Sequence, residues 1–114
     1  RYIPVDSNIR YKGLLDSQAD IVVAYATDGE ISAYNLLVLE DSQRFFPPYN
    51  VAPVIRQPLL DRSGQIATIL NALAPHLTNA AMQRLNYAVS GQNRPPAEVA
   101  QEFLLEAGLL QDSH

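Results

Sequence analysis

The chain has 114 residues, of which 47 % are hydrophobic and 18 % charged, and this composition predicts one domain that buries about 65 % of its unfolded surface. The net charge is −4, and only one of the eight basic residues is lysine, so binding to nucleic acid is not expected. The absence of cysteine excludes disulfides, cysteine-ligated zinc and thiol catalysis, and it leaves the compartment open.

The organisation of the chain indicates a single unit. No apolar run approaches the roughly 18 residues that a membrane helix needs. The chain begins at Arg1 rather than at methionine, and it opens with no signal-like apolar segment, so we expect a processed or excised piece. Internal repeats and low-complexity segments are absent, and the predicted connections are short. These features predict one folded unit without an internal linker.

The first elements are predicted to be a strand, a helix and a second strand. Residues 2–5 favour a short strand, and residues 7–15 favour a short helix with Asp6 or Ser7 as its cap. Residues 21–25 form a continuous apolar run that does not alternate with polar residues. Such a run is typical of a parallel strand that is covered on both faces.

Two further strands are predicted before the helical half begins. Asp28-Gly29 predicts a turn, after which we expect a short helical turn. Residues 36–41 and 49–56 are the next two predicted strands. Pro53 confines the last of them to a sheet edge or a bulge, because proline cannot donate to the ladder.

Three helices are predicted in the second half, and the first two have clear ends. The first covers residues 65–73 and is stopped by Pro75, and the second is capped by Thr78 and ends at Gly91 in a left-handed C′ conformation. Their apolar faces recur at helical spacing and comprise Ile66, Ile69, Leu70 and Leu73 in the first and Met82, Leu85 and Val89 in the second.

The third predicted helix begins at Pro95-Pro96 and closes at Gly108. Four of its side chains are predicted to be buried, namely Val99, Ala100, Phe103 and Leu104. Strands followed by helices predict an α/β fold with a short, mostly parallel sheet and flanking helices.

Residue types that carry catalysis or bind metals are poorly represented. His76 and His114 lie far apart, and neither has a helical partner that would complete a metal site. No G-x-S-x-G nucleophile motif or phosphate-cradling glycine loop occurs. Glu30, Glu40 and Asp41 lie near predicted turns, where solvated caps are the simplest interpretation. We therefore expect no enzyme, no cofactor and no metal.

The distinctive feature is aromatic: six tyrosines and three phenylalanines occur without tryptophan. Tyr25 and Tyr49 each lie beside the end or the beginning of a predicted strand, and the carboxyl ends of strands in open α/β sheets form a ligand crevice. Pro47 and Pro48 restrict the backbone before Tyr49, so its ring is presented with little entropy left to lose. Rigid tyrosines suit the binding of a methylated cation that can form no hydrogen bond.

Two other interpretations of the same stretch are open on the residues alone. Phe45 and Phe46 could form part of the core together with Tyr25 and Tyr49, and the prolines would then be a rigid crossover. Alternatively, the PPY sequence could be a polyproline ligand for an aromatic-groove domain, although it lies between predicted strands rather than in a disordered tail.

The stretch ADIVVAYATDGEISAYNLLVLEDSQRFFPPYNVAPVIR resembles the signature of the glycine betaine, choline and carnitine binding proteins of ABC importers. MQRLNYAV and PAEVAQEFLLEAGLL resemble the closing helices of the same family, so the similarity covers nearly the whole chain. In that family two lobes close over a quaternary ammonium group held in a box of tyrosines. The sequence departs from the pattern at Asn50, Val51 and Pro95, which lie outside the box.

The resemblance implies that Tyr25 and Tyr49 are two members of that box, because the last two box tyrosines of the family are separated by the same 24 residues. Thr27, in the turn after Tyr25, is a further candidate ligand-binding residue. The ligand would be glycine betaine, choline, carnitine or proline betaine. The protein would be a non-catalytic, extracytoplasmic binding component that delivers this ligand to a permease, either in the periplasm, as a lipoprotein or as a domain fused to the permease.

Family members are roughly twice this length or more, so the resemblance also implies that the chain is the C-terminal portion of a two-lobed periplasmic-binding-protein type II fold. Residues 1–26 would be the tail of the inserted second lobe, and residues 27–114 the returning segment of the first lobe, with the hinge or crossover at about 26–36. The remaining box tyrosines would precede Arg1.

Such a fragment is expected to pair with the absent N-terminal part or with a second copy of itself. Two alternatives of other classes remain open at this point. One is an interaction or regulatory domain of the same fold that has lost the pocket. The other is a small α/β enzyme, which would need a convergent acid, base or nucleophile.

Overall fold

The computed structural model describes residues 4, 6 and 9–111, and the regular elements in this part are α-helices and one 3₁₀ turn. The helices, numbered α1 to α6 in chain order, are Arg10–Leu15, Gly29–Ala33, Gln57–Arg62, Gln65–Ala72, Asn79–Ser90 and Pro96–Glu106, and the 3₁₀ turn is Ala74–His76. Residues 7 and 8 of the predicted first helix and His114 lie outside the described residues, as does nearly all of the predicted strand at 2–5. The helix α1 begins at Arg10 with Ile9 at its N-cap and no side-chain cap bond, so the cap predicted at Asp6 or Ser7 is wrong.

The core lies where α2 crosses α5 and where α5 packs against α6. The buried side chains on these three helices are Ile31, Ala88, Val99 and Phe103, and Tyr11 of α1 is buried as well. The burial predicted for Val99 and Phe103 is thus confirmed, whereas Ala100 is exposed and Leu104 is only half-buried. The prediction for Ala100 is wrong because α6 packs on one side only, and a residue next to Val99 points about 100° away from that side.

The helix ends follow the predicted capping chemistry at two of three positions. The Thr78 hydroxyl accepts a hydrogen bond from the Ala81 amide at 3.2 Å, which confirms the predicted cap of α5. Gly108 has a φ of 68° and closes α6 as predicted. The left-handed prediction for Gly91 is wrong, because its φ is −93°. Glycine is needed there for another reason: a Cβ would overlap the ring of Tyr87.

Two helical segments differ from the prediction around prolines. The helix α3 was not predicted, although Pro58 in its first turn is a recognised start signal. The helix α4 ends one residue earlier than predicted, and the chain then continues through Pro75 as the 3₁₀ turn. Proline fits the first turn of such a helix because the amide it lacks has no intrahelical acceptor there.

The described residues contain no strand, so the predicted sheet is not confirmed. Residues 21–25, 36–41 and 49–56, which were predicted as strands, have no regular structure. Most of their apolar side chains are exposed, with Leu37 84 % and Val54 97 % exposed. A strand forms only when a second strand supplies ladder partners, and these segments have none beside them in the described structure.

The chain is more open than a self-sufficient domain of its size. Its radius of gyration is 17.8 Å, whereas a compact chain of this length has about 13 Å. Its accessible surface is 9715 Å², against roughly 6,200 Å² for a compact protein of the same mass. The chain therefore buries about half of its unfolded surface instead of the predicted 65 %, because the predicted strands and the apolar face of α4 remain uncovered.

Candidate ligand site

The rings of Tyr25 and Tyr49 lie side by side although the residues are distant in sequence. Their centroids are 6.1 Å apart, and the ring planes are inclined by 84°. Both rings are accessible, with Tyr25 58 % and Tyr49 76 % exposed. The two exposed rings therefore meet edge to face, with their planes at nearly a right angle.

The turn that carries Tyr25, residues 25–29, is called here the Tyr25 turn. The Asp28 carboxylate links this turn to the helix α1. One oxygen of Asp28 accepts hydrogen bonds from the Arg10 guanidinium at 2.6 Å, from the Tyr11 hydroxyl at 2.6 Å and from the Tyr25 amide at 3.2 Å. The Arg10 and Asp28 side chains are only 19 % and 18 % exposed, so little solvent screens this ion pair.

The same turn is also fastened to α5. The Gln83 side-chain amide donates to the Ala26 carbonyl at 2.6 Å, and the Asn86 side-chain amide donates to the Thr27 carbonyl at 2.8 Å. Gly29 touches the backbone of α5, where a Cβ would lie 2.5 Å from the Tyr87 nitrogen. Only glycine permits this approach.

Residues 41–49, called here the Tyr49 loop, are held by local contacts. The Asp41 carboxylate accepts hydrogen bonds from the Phe45 amide at 3.0 Å and the Phe46 amide at 2.8 Å. Arg44 adopts a left-handed φ of 54°, which allows the chain to fold back over Asp41. The hydrogen bonds from Phe46 and Phe45 hold the pKa of the Asp41 carboxyl below its usual value.

The phenylalanines of the Tyr49 loop do not belong to the core. Phe45 and Phe46 pack edge to face on each other, with ring centroids 5.1 Å apart, and both are exposed. Since Tyr25 and Tyr49 are exposed as well, the alternative in which all four rings are core does not describe this structure.

The remaining candidates from the sequence are Thr27 and the possible metal ligands. Thr27 contributes its carbonyl to the contact with α5, and its own side chain stays a predicted ligand group. His76 lies in the 3₁₀ turn, away from the ring pair in sequence. Across residues 4, 6 and 9–111, histidine and acidic side chains form no group of three that could hold a metal ion. In the same part of the chain, no helix is long and apolar enough to span a membrane.

Burial and charge act together on Tyr11, the neighbour of Asp28. Removal of its ring from water, the hydrogen bond to Asp28 and the charge of Asp28 all raise the pKa of the Tyr11 hydroxyl far above its ordinary value of about 10. The hydroxyl therefore stays protonated and can donate to Asp28 throughout the physiological range.

The ring pair offers aromatic surface of the kind that attracts cations. A methylated ammonium can sit against the faces of Tyr25 and Tyr49, where each ring contributes about 0.5 to 2 kcal/mol of attraction. The carboxylates nearby are engaged: Asp28 is paired with Arg10, and Asp41 accepts two backbone amides. The ring pair is therefore a candidate aromatic recognition surface.

Sequence reasoning missed the residues that hold the Tyr25 turn. Arg10 and Tyr11 are 18 and 17 residues from Asp28, and Gln83 and Asn86 are 57 and 59 residues from their carbonyl partners. The only local signal is that Gln83 and Asn86 are polar residues three apart on a helix whose other face is apolar. That spacing shows a shared face but not its acceptor.

The sequence model of one protein family, the substrate-binding domain of the ABC-type glycine betaine transport system, matches residues 5–106 of this chain. The chain therefore belongs to this family of substrate-binding domains, which is a transporter family rather than an enzyme family. A solved structure of a glycine betaine/carnitine/choline ABC transporter superimposes with a TM-score of 0.88 at 38 % identity, over 93 % of this chain and 39 % of that one.

Relatives in three bacteria are similar in sequence over most of this chain. The carnitine transport binding protein OpuCC of Listeria monocytogenes is 36 % identical over 91 % of this chain, and the glycine-betaine-binding protein of Pseudomonas aeruginosa is 36 % identical over 95 %. An ergothioneine transport permease/ergothioneine binding protein of Helicobacter pylori is 33 % identical over 92 %. This chain spans about a third of the length of the first two relatives, 34 % and 35 %, and 19 % of the third.

Proposed function

We propose that this chain is part of the extracytoplasmic binding component of an ABC importer for quaternary ammonium compounds such as glycine betaine, choline, carnitine or proline betaine. Tyr25 and Tyr49 would form two walls of a cage for the methylated cation, with Thr27 beside them. The observation that carries the proposal is the open, nearly perpendicular ring pair at 6.1 Å. Family membership and the names of the relatives support the ligand class.

The strength of cation–π contacts limits the affinity that these two rings can provide by themselves. Two cation–π contacts supply roughly 1 to 4 kcal/mol, whereas micromolar affinity corresponds to about 8 kcal/mol. The isolated 114 residues should therefore bind choline or glycine betaine in the millimolar range at best. Further cage residues would have to come from elsewhere in the assembled binding protein.

The large exposed surface of the chain supports the proposal that it forms only part of a lobe. We propose that residues 21–25, 36–41 and 49–56 become strands of a short, mostly parallel sheet when the rest of a two-lobed protein, or a second copy of this chain, supplies the neighbouring strands. In that assembly residues 1–26 would belong to one lobe and residues 27–114 to the other. The excess of roughly 3,500 Å² of accessible surface over a compact protein matches this need.

The remaining partners follow from the proposed role. The binding component would work outside the cytoplasm and deliver its ligand to a permease subunit, with the energy supplied by an ATPase of the importer. No covalent chemistry is required of the chain, because recognition by aromatic faces and release on opening complete its task.

The test uses the longest natural polypeptide that contains this sequence, called here the parent polypeptide. Choline binding is measured by calorimetry beside 3,3-dimethylbutanol, which has the same shape without the charge. We expect choline to bind and the neutral isostere to bind at least tenfold more weakly, because the neutral molecule gains no attraction to the ring faces.

Variants localise the effect. Tyr25→Leu and Tyr49→Leu should each weaken choline binding about tenfold, which is the loss of one strong cation–π contact. Tyr34→Leu is the matched control, since Tyr34 is also an exposed tyrosine but is not part of the ring pair. Equal binding of the two ligands would contradict the cation–π basis of the proposal. No binding of choline, glycine betaine or carnitine would contradict the proposed function and would favour an interaction domain that has lost the pocket.

A further inference from the structure

The ring of Tyr25 is not held by packing around its own side chain. It is 58 % exposed, and its aromatic neighbour within the described residues is the still more exposed Tyr49. A ring in such a setting keeps its place only if the backbone beneath it is held. The position of Tyr25 therefore depends on whatever fixes residues 25–28.

Hydrogen bonds fix that backbone at successive positions. The Tyr25 amide donates to the Asp28 carboxylate, and the Tyr25 carbonyl accepts from the Asp28 amide at 3.0 Å. The next two carbonyls, of Ala26 and Thr27, accept from Gln83 and Asn86. Each residue from 25 to 28 thus takes part in at least one bond that orients the turn.

The side chains of Gln83 and Asn86 have no such use within their own helix. Alanine at either position would serve α5 at least as well, because asparagine is a weak helix former and glutamine gains nothing from reaching outward. Both side chains are half-buried and both reach from the same helix face to consecutive carbonyls of the Tyr25 turn. Their geometry serves the turn rather than the helix.

We infer that Gln83 and Asn86 on α5, together with Asp28, are positioning residues that hold Tyr25 against Tyr49 before a ligand arrives. The inference rests on the proposed function, because it assigns these residues to the same aromatic site. Its physical basis is preorganisation: a ring that is already in place loses less conformational entropy when the cation binds. None of the three side chains needs to touch the ligand.

The test compares the double variant Gln83→Ala/Asn86→Ala with wild type in the parent polypeptide. Arg84→Ala is the matched control, because Arg84 lies between the two amides on α5 and forms an exposed ion pair with Glu106 at 3.6 Å. Choline affinity is measured by calorimetry. The double variant should lose at least tenfold in affinity, and the control should stay within twofold of wild type.

A spectroscopic readout separates positioning from general destabilisation. The protein is labelled with 3-fluorotyrosine, and the signals of Tyr25 and Tyr34 are assigned by Tyr→Phe substitution. In the double variant the ¹⁹F signal of Tyr25 should shift or broaden while that of Tyr34 stays in place, and the thermal midpoint should remain above the measuring temperature.

Asp28→Asn is a second, milder variant, because asparagine retains an oxygen acceptor for the Tyr25 amide while the ion pair with Arg10 is lost. It should disturb the Tyr25 signal less than Asp28→Ala does. An unmoved Tyr25 signal, an equal disturbance of Tyr34, or an affinity within twofold of wild type in the double variant would overturn the inference.

The failure of the proposed function is separately visible. If wild-type protein binds no quaternary amine, the function fails, and the Tyr25 signal in the variants still decides whether Gln83, Asn86 and Asp28 hold the turn. If wild type binds choline and the variants do not differ from it, only the positioning inference fails.

Discussion

The two tyrosines of the candidate site stand on supports of opposite kinds. The Tyr25 turn is anchored by side chains 17 to 59 residues away, on α1 and α5, whereas the Tyr49 loop is anchored by Asp41 to amides four and five residues away and by its own prolines. The first support exists only after the chain has folded, and the second is available locally. Two rings of one site can thus be positioned by tertiary contact on one side and by backbone chemistry on the other.

The difference predicts where the site is sensitive to mutation. A change in α1, α5 or the Tyr25 turn should affect folding and the ring pair together, because the same contacts serve both. A change in the Tyr49 loop should act on that loop alone, since residues 41–49 are exposed throughout. Three substitutions test this contrast, and their expected effects on stability decrease from the first to the third.

The largest effect is expected from Gly29→Ala. The new Cβ would lie 2.5 Å from the Tyr87 backbone nitrogen, so α2 would have to move away from α5 and the Tyr25 turn with it. We expect a loss of about 2 to 4 kcal/mol in the free energy of unfolding, measured by urea denaturation of the parent polypeptide.

Gly64→Ala is the matched control for this substitution. Gly64 has right-handed helical torsion angles, and nothing lies within 4 Å of a Cβ built there, so alanine should be neutral or stabilising by about 0.5 kcal/mol. Equal effects of the two substitutions would show that the contact between α2 and α5 does not limit stability.

A smaller effect is expected from Tyr11→Phe, and it should depend on pH. Because the folded-state pKa of Tyr11 is raised above that of the unfolded chain, its contribution is complete below about pH 10 and is lost as the pH rises through the raised value. The variant should be less stable than wild type by about 1 kcal/mol at neutral pH, and this difference should shrink in alkali.

Two measurements check the role of Tyr11. Urea midpoints between about pH 8 and pH 11 give the stability difference, and tyrosinate absorbance shows whether one tyrosine titrates late in wild type and not in the variant. A constant difference between wild type and Tyr11→Phe across that range would contradict the expected linkage with the Asp28 contact.

The smallest effect is expected from Asp41→Asn in the Tyr49 loop. Asparagine can accept one of the two amides with its side-chain oxygen but not both, so exchange of the Phe45 and Phe46 amides with solvent should become faster. Global unfolding should not change measurably, and choline affinity should fall by less than in the Gln83→Ala/Asn86→Ala variant.

The acid response of wild type provides the check on this local support. Because the pKa of Asp41 is lowered in the folded chain, its hold on the loop is present above the ordinary value of about 4 and is lost as the pH falls through the lowered value. Amide exchange that shows no such acid step, or a clear drop in global stability of Asp41→Asn, would show that the loop is not locally supported.

Much of the helical half could be predicted because its signals are local. The cap at Thr78, the left-handed Gly108 and the apolar spacing of Val99 and Phe103 all depend on neighbours within one or two turns. The sheet could not be predicted reliably from such local signals. The apolar runs indicate strands, but a strand also needs a partner strand, and these residues do not supply one to one another. Gly91 is an example of what local patterns miss. Its glycine was predicted to allow a left-handed conformation, but what it provides is space for the ring of Tyr87.

Local sequence is enough to show the family, the spacing of Tyr25 and Tyr49, and the stiffness of the Tyr49 loop, because motifs and prolines act through the covalent chain. Packing between distant parts of the chain brings the two rings together, and it places Asp28, Gln83 and Asn86 where they bond to the Tyr25 turn. Those contacts join residues separated by up to 59 positions. Such contacts depend on how helices pack, and no local pattern of residue types records that.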